Sequence, residues 1–275
     1  MSGHALLLGW GEATVTVIII ASGASEDTKV MSGVFPPGAA VALSLSFDDA
    51  RASQLEAIGI LQEYGIRASF YVLPASVAAA PDRWRVVALS GHEIGNHTRT
   101  HPCSANFEFS RANALEDKTM RDIATDIDAA SQVIQDLLDV QPKTFAYPCG
   151  QSFIGRGRQR RSYVPLVAER FVAGRGYASE TGNLPDRCDL AHLEAYVIDG
   201  LDAGAMKSIV DAGMIRGEWV IMVGHDIGQR RPQTVPVWEL DRFCRRVSQD
   251  DRIWIAPVLQ VAERIQSIRE AENRG

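Results

Sequence analysis

Residues 41–73 read VALSLSFDDARASQLEAIGILQEYGIRASFYVL, and they set the architecture. Residues 41–47 (VALSLSF) and 67–73 (RASFYVL) are short apolar runs with the character of strands. Between them, residues 52–64 carry helical patterning and stop at Gly65, a residue type that closes helices in the left-handed conformation. Strand, helix and strand joined by short turns make a βαβ unit, whose two strands lie parallel.

The alternation continues outward from this unit. A stretch containing Gly and Pro, 32–39, precedes it. After it come a helix at 82–90, a short strand at 92–96 and a long helix from 112 to about 139, with Ile123, Ile127, Ala130, Val133, Ile134, Leu137 and Leu138 at helical spacing. Further strands are predicted at 143–147, 171–174, 194–198, 219–224 and 252–256, and helices at 164–170, 203–215, 237–248 and 257–270. The last helix opens with Pro257 in its first turn, where a missing N–H costs nothing. Repeated βα units imply a parallel sheet covered by helices. About seven such units favour a distorted, incomplete (β/α) barrel over a doubly wound sheet. Residues 41–270 form this single α/β domain in the reading, and 1–40 an N-terminal extension. In either fold, function gathers at the carboxyl ends of the strands.

Composition narrows the partners. A net charge of −6 argues against a nucleic-acid backbone as ligand, and the cluster Arg156, Arg158, Arg160 and Arg161 reads as a solvated loop. Cys103, Cys149, Cys188 and Cys244 are scattered with no CxxC pair, which excludes a zinc ribbon or thioredoxin motif. Their even number permits disulfides without requiring them. Residues 13–20 (ATVTVIII) and the small residues after them resemble a secretory leader. Yet no Lys or Arg precedes them and Glu12 interrupts the apolar stretch, so a strand or plain extension fits as well. A secreted or cell-envelope location and a cytoplasmic one both stay open. No segment is long and apolar enough to span a bilayer.

Four strand ends carry chemistry. The first is Ser46-Phe47-Asp48-Asp49, two adjacent carboxylates where the chain turns out of a strand; Asp49 could equally cap the next helix. The second is His97-Thr98-Arg99-Thr100-His101-Pro102. Histidines at i and i+4 share one side of a helical turn, and with one carboxylate they make a three-ligand metal set that leaves positions for water and substrate. The third, Phe145-Ala146-Tyr147-Pro148-Cys149-Gly150, is a tight turn able to aim a backbone N–H at a developing oxyanion. The fourth is Val223-Gly224-His225-Asp226, where His225 can act as a general acid. Each alone also has a structural reading as cap, turn or core histidine. Their order along successive strand ends favours a site.

Together these residues resemble the polysaccharide deacetylase family, the NodB-homology carbohydrate esterases, over roughly residues 41–265. Ser46-Phe47-Asp48-Asp49-Ala50 is similar to T/S-F-D-D-G, His97–His101 to H-S/T-x-x-H, Ala146–Gly150 to R-x-P-Y-G and Val223–Asp226 to L-x-H-D. The resemblance implies hydrolysis of N- or O-acetyl groups on a glycan. It implies a divalent ion, most often zinc, held by Asp49, His97 and His101. It makes Asp48 the general base and His225 the general acid, and gives the Cys149 N–H the oxyanion. Tyr147, Pro148 and Trp219 are candidate substrate contacts, with Trp84 and Tyr177 also available for an aromatic wall. Two positions depart from the pattern. Ala50 replaces a glycine that allows positive φ, and Ala146 replaces an arginine that orients the base. Arg175, at the next strand end, is the expected substitute, pointing inward to pair with Asp48. Two other readings remain: hydrolysis of a small amide or cyclic imide, and a sugar-binding module without turnover.

Overall fold

The first strand forms as β1 (Val41–Asp48), buried along its whole length. The structure, a computed structural model, describes residues 33–272 and 274, so the leader-like stretch 13–24 lies outside the described residues. The strands β2 (Ser69–Val72), β3 (Glu93–Asn96), β4 (Thr144–Ala146), β5 (Ala173–Arg175), β6 (Tyr196–Val197), β7 (Trp219–Gly224) and β8 (Ile253–Ile255) complete an eight-stranded sheet. Every pairing in it is parallel. Its order is β5-β4-β3-β2-β1-β7-β6. On one edge of β1, Ser46–Asp48 pair with β2 and Val41–Leu43 pair with β8. The sheet curls until Leu193, in the segment leading into β6, bridges Arg175 on the far edge. This is the distorted, incomplete barrel the alternation predicts, and all strand carboxyl ends face one mouth.

Helices α1 (Gln54–Glu63), α2 (Pro74–Ala78), α3 (Pro81–Leu89), α4 (Met120–Leu138), α5 (Val164–Ala168), α6 (Ala203–Arg216), α7 (Val237–Val247) and α8 (Val258–Glu272) accompany the sheet. Side chains alternate along β1 and divide the core. Leu43, Leu45 and Phe47 pack into the cluster shared with α1, α3, α6 and α7, which also takes in Trp84, Met206 and Phe243. The opposite face carries Ser44, Ser46 and Asp48, polar side chains in a buried setting. Each serine there is satisfied: Ser44 Oγ donates to Ala256 O at 2.7 Å and Ser46 Oγ to Met222 O at 2.8 Å. Asp48 therefore faces inward by strand parity.

Two expectations need correction. The long helix does not begin at 112. Residues Glu108–Asn113 and Leu115–Asp117 form two short 3-10 turns, and α4 starts at Met120. Its start is set by a capping box in which Thr119 Oγ1 accepts from Asp122 N while Asp122 accepts from Thr119 N, a local polar signal that apolar periodicity does not carry. Helix α2 was not predicted, because five residues are too few to show a period. No helix among the described residues is long and apolar enough to cross a membrane.

Candidate functional site

Asp48 and Asp49 reach one cavity because the backbone breaks from the strand between them. Asp49 takes φ +74° and Ala50 φ +54°, so the second carboxylate swings round to the mouth instead of following the pleat outward. Ala50 holds the left-handed conformation that a glycine would take without strain. Asp49 does not cap α1; the residue before that helix is Ser53, whose hydroxyl instead donates to Asp226 Oδ1 at 2.7 Å.

His97 and His101 meet by a route other than the predicted helical turn. No helix spans 97–101; Thr98 (φ +66°) and His101 (φ +49°) fold the loop back, leaving the two rings 4.8 Å apart between centroids. Polar groups hold that loop. Asn96 Oδ1 accepts from Thr98 N at 2.7 Å while its amide donates to Ile127 O of α4, and Asp126 Oδ2 accepts from Arg99 N and Thr100 N. His97 Nδ1 lies 2.9 Å from Ala146 O. A carbonyl can only accept, so Nδ1 carries the proton and Nε2 presents its lone pair to the cavity.

Both imidazole Nε2 atoms then face Asp49 Oδ1, at 3.6 Å from His97 and 3.7 Å from His101. Tetrahedral bonds of 2.0–2.2 Å place neighbouring ligand atoms about 3.4 Å apart. The three donors therefore fit a small divalent ion, and their chemistry, one carboxylate with two imidazoles, suits zinc and similar metals. Burial and the neighbouring His97 push the His101 imidazole down to about 4, which leaves it neutral and able to ligate. Burial alone would raise the Asp49 carboxyl, but His97, His101 and Arg51 outweigh it and hold the group below its ordinary value.

Arg175 is fully buried and its Nη2 donates to Asp48 Oδ1, with the guanidinium carbon 4.7 Å from the centre of the Tyr71 ring. Gly95 makes room for this stack, since a Cβ there would lie 2.5 Å from the Tyr71 ring. Asp48 Oδ2 stays free of the arginine, 4.0 Å from His97 Nε2. Across the mouth, His225 Nδ1 donates to Asp199 Oδ2 at 2.6 Å, and its backbone N–H donates to Asp199 Oδ1 at 3.0 Å. Burial pushes this imidazole down, but the Asp199 bond and the Asp48 charge push it up by more, so it keeps its proton to higher pH than a free histidine.

The reading from sequence missed several supports. Asp199 stands at the end of β6, so the strand-end rule that found the other four clusters applies to it as well. Arg51 bridges two carboxylates, donating to Asp49 Oδ2 at 2.9 Å and Asp226 Oδ2 at 2.7 Å. It occupies one oxygen of Asp49 and leaves the other for the imidazoles. Gln54 Nε2 donates to Asp48 O and His225 O and so ties the ends of β1 and β7 together. Cys103 and Cys149 form a disulfide, with Cα atoms 6.2 Å apart, joining the histidine loop to the turn after β4. Their sulfurs also lie near His101, but the bond between them leaves no thiolate for a metal there.

The predicted substrate contacts need revision. Trp219 is fully buried at the start of β7, away from the mouth, and its Nε1 donates to Ser44 Oγ at 3.0 Å. Tyr147 is also fully buried, its hydroxyl donating to Ala191 O, and Pro148 is buried beside it. All three are packing residues; Trp84 is core too. Tyr177 remains available, half-buried with its ring 5.6 Å from His225. Cys149 sits in the turn at φ +54°, followed by Gly150, where a Cβ would strike the Tyr177 backbone at 2.9 Å.

Comparison with known proteins bears on this geometry directly. Residues 37–156, which hold the first three clusters, match the family model of the polysaccharide deacetylases. Over these residues the chain is similar to the polysaccharide deacetylases. It is 33% identical over 93 residues to chitin deacetylase 1 of Cryptococcus neoformans var. grubii, a match covering 34% of this chain and 17% of that protein. It is 30% identical over 149 residues to a gellan lyase of a Bacillus species, covering 54% of this chain and 5% of the lyase. The chain thus spans only a small part of either relative. A Mycobacterium smegmatis structure described as a polysaccharide deacetylase superposes with a TM-score of 0.63 at 17% identity, over 86% of this chain and 93% of that one. At that identity the likeness shows a shared fold.

Proposed function

We propose that this chain is a metal-dependent hydrolase that removes N- or O-acetyl groups from a carbohydrate, with zinc as the metal. The observation that carries the reading is the convergence of both histidine Nε2 atoms on Asp49 Oδ1, with Asp48 and His225 flanking them at the same mouth. Asp49, His97 and His101 would hold the ion. When bound, a divalent ion there polarises the acetyl carbonyl and makes a nearby water easier to deprotonate.

The chain's own groups divide the remaining work. Asp48 takes a proton from the attacking water as its oxygen bonds to the acetyl carbon. Arg175 donates to Asp48 and holds it in place, supplying the cation that Ala146 lacks. The backbone N–H of Cys149 takes the developing negative charge on the carbonyl oxygen. His225, held by Asp199, gives its proton to the leaving nitrogen or oxygen as the bond to the acetyl carbon breaks. The products are acetate and the free amine or hydroxyl.

Elemental analysis joined to acetate release from a glycan panel tests this. The purified protein should carry about one divalent ion, since three ligands complete one site. His97→Ala should lose most of the metal and most of the activity, because a three-ligand site has no spare donor. A variant with full metal content and full turnover would sink the assignment. Asp199→Asn addresses the acid. The carboxylate raises His225, so its loss should slow turnover and move the alkaline limb of the pH–rate profile to lower pH, with metal content unchanged. An alkaline limb that stays in place would put the acid elsewhere.

A further inference from the structure

Beside the candidate metal ligands the chain displays two aromatic rings to solvent. Phe109 is 67% exposed and Phe107 42% exposed, and they lie 5.5 Å apart between centroids. The Phe109 ring is 6.2 Å from that of His101. Their loop is firmly built. Ser110, itself buried, accepts from Cys103 N and donates to Cys103 O, both at 2.8 Å. Ser104 Oγ donates to Glu116, and Asn113 donates to Thr100 O. The disulfide anchors the same loop to the turn after β4. The rings are thus held out in water by a scaffold whose own polar groups are paired, although burying a phenylalanine is favourable. Other exposed aromatics among the described residues have partners: Arg160 lies over the Phe153 ring at 4.2 Å, and Trp238 donates to Glu239.

Resting on the deacetylase reading, we infer that Phe107 and Phe109 form a stacking platform for a pyranose ring, binding the sugar next to the one that carries the acetyl group. The faces of pyranose rings present C–H groups that pack on aromatic surfaces, and the ring edges keep their hydroxyls in water. An apolar patch bordering a polar cleft suits such an amphipathic ligand. The platform adjoins His101, so a sugar stacked there leaves its neighbour within reach of the metal ligands. It therefore selects chains of at least two sugars over single acetylated units.

The test compares acetate release from chitin oligomers of increasing length with hydrolysis of 4-nitrophenyl acetate, which offers no sugar to stack. Phe109→Ala should lower kcat/KM on oligomers about tenfold, the scale of one lost aromatic contact, mainly through KM. The small ester should be hydrolysed at the wild-type rate, and Phe109→Trp should restore the oligomers. Equal losses on both substrates, or none on either, overturns the platform. If the wild type releases acetate from no chitin oligomer and from no O-acetylated glycan, the deacetylase reading falls. Direct binding of the same oligomers then decides the platform: binding that weakens in Phe109→Ala upholds it, and no binding overturns it. Concentration-dependent dimers that Phe109→Ala abolishes, with oligomer kinetics unchanged, would assign the rings to self-association and overturn it as well.

Discussion

Asp48→Asn is expected to give a folded, metal-loaded protein that releases acetate at least ~100-fold more slowly than the wild type, since general acid–base groups contribute about 10² to 10⁴-fold. The substitution keeps the shape of the side chain and removes its capacity to take a proton. It also leaves Arg175 as a buried cation without its counter-charge, so stability should fall. Folding should survive, because Arg175 Nη1 still donates to Gly176 O at 2.8 Å and the guanidinium still lies against Tyr71. Metal content should hold, since Asp49, His97 and His101 make the set that fits an ion and Asp48 is paired with the arginine. Circular dichroism, elemental analysis and single-turnover acetate release separate these effects. Near-native rates would move the base to another group.

What the sequence shows of this molecule divides along a physical line. Strand and helix order are legible because burial on a parallel sheet writes apolar runs into 41–47 and 219–224, and helix α4 writes its period into Ile123, Ile127 and Ile134. The mouth residues are legible because a polar group at the end of a buried strand is costly without a use or a partner. Parity along β1 then sends Asp48 inward beside Ser44 and Ser46. What stays hidden depends on backbone torsions and on distant contacts. The i, i+4 spacing of His97 and His101 suggests a helical turn, but Asn96, Thr98 and Asp126 build a loop with left-handed residues that brings the same rings together. Spacing specifies that two side chains can meet and leaves open how. Trp219 looks like a groove aromatic by type alone. Its place at the amino end of β7, opposite the mouth, makes it core, a distinction that strand direction contains and residue type does not. The Cys103–Cys149 bond spans 46 residues, and no count of four cysteines selects that pairing.

Arg175→Ala should be among the most destabilising single changes in the domain and should also slow the chemistry. Arg175 and Asp48 are both almost completely shielded from water, so removing the cation strands a buried carboxylate, a change that typically costs about 3–5 kcal/mol. Urea unfolding monitored by fluorescence reads that loss. Turnover should fall as well, because the carboxylate that takes the proton loses the group that aims it. The double variant Arg175→Met with Asp48→Asn separates the two roles. It places two uncharged groups of similar volume where the ion pair stood, and such replacements of buried pairs are often neutral in stability. The double variant should therefore recover much of the unfolding free energy lost in Arg175→Ala while remaining at least ~100-fold slow, since the base is gone. Unchanged turnover in Arg175→Ala would show that hydrogen bonds or the metal hold the base alone. A double variant no more stable than Arg175→Ala would place the arginine's contribution in its packing against Tyr71 and Gly176 O, and would remove the charge on Asp48 from the account of stability.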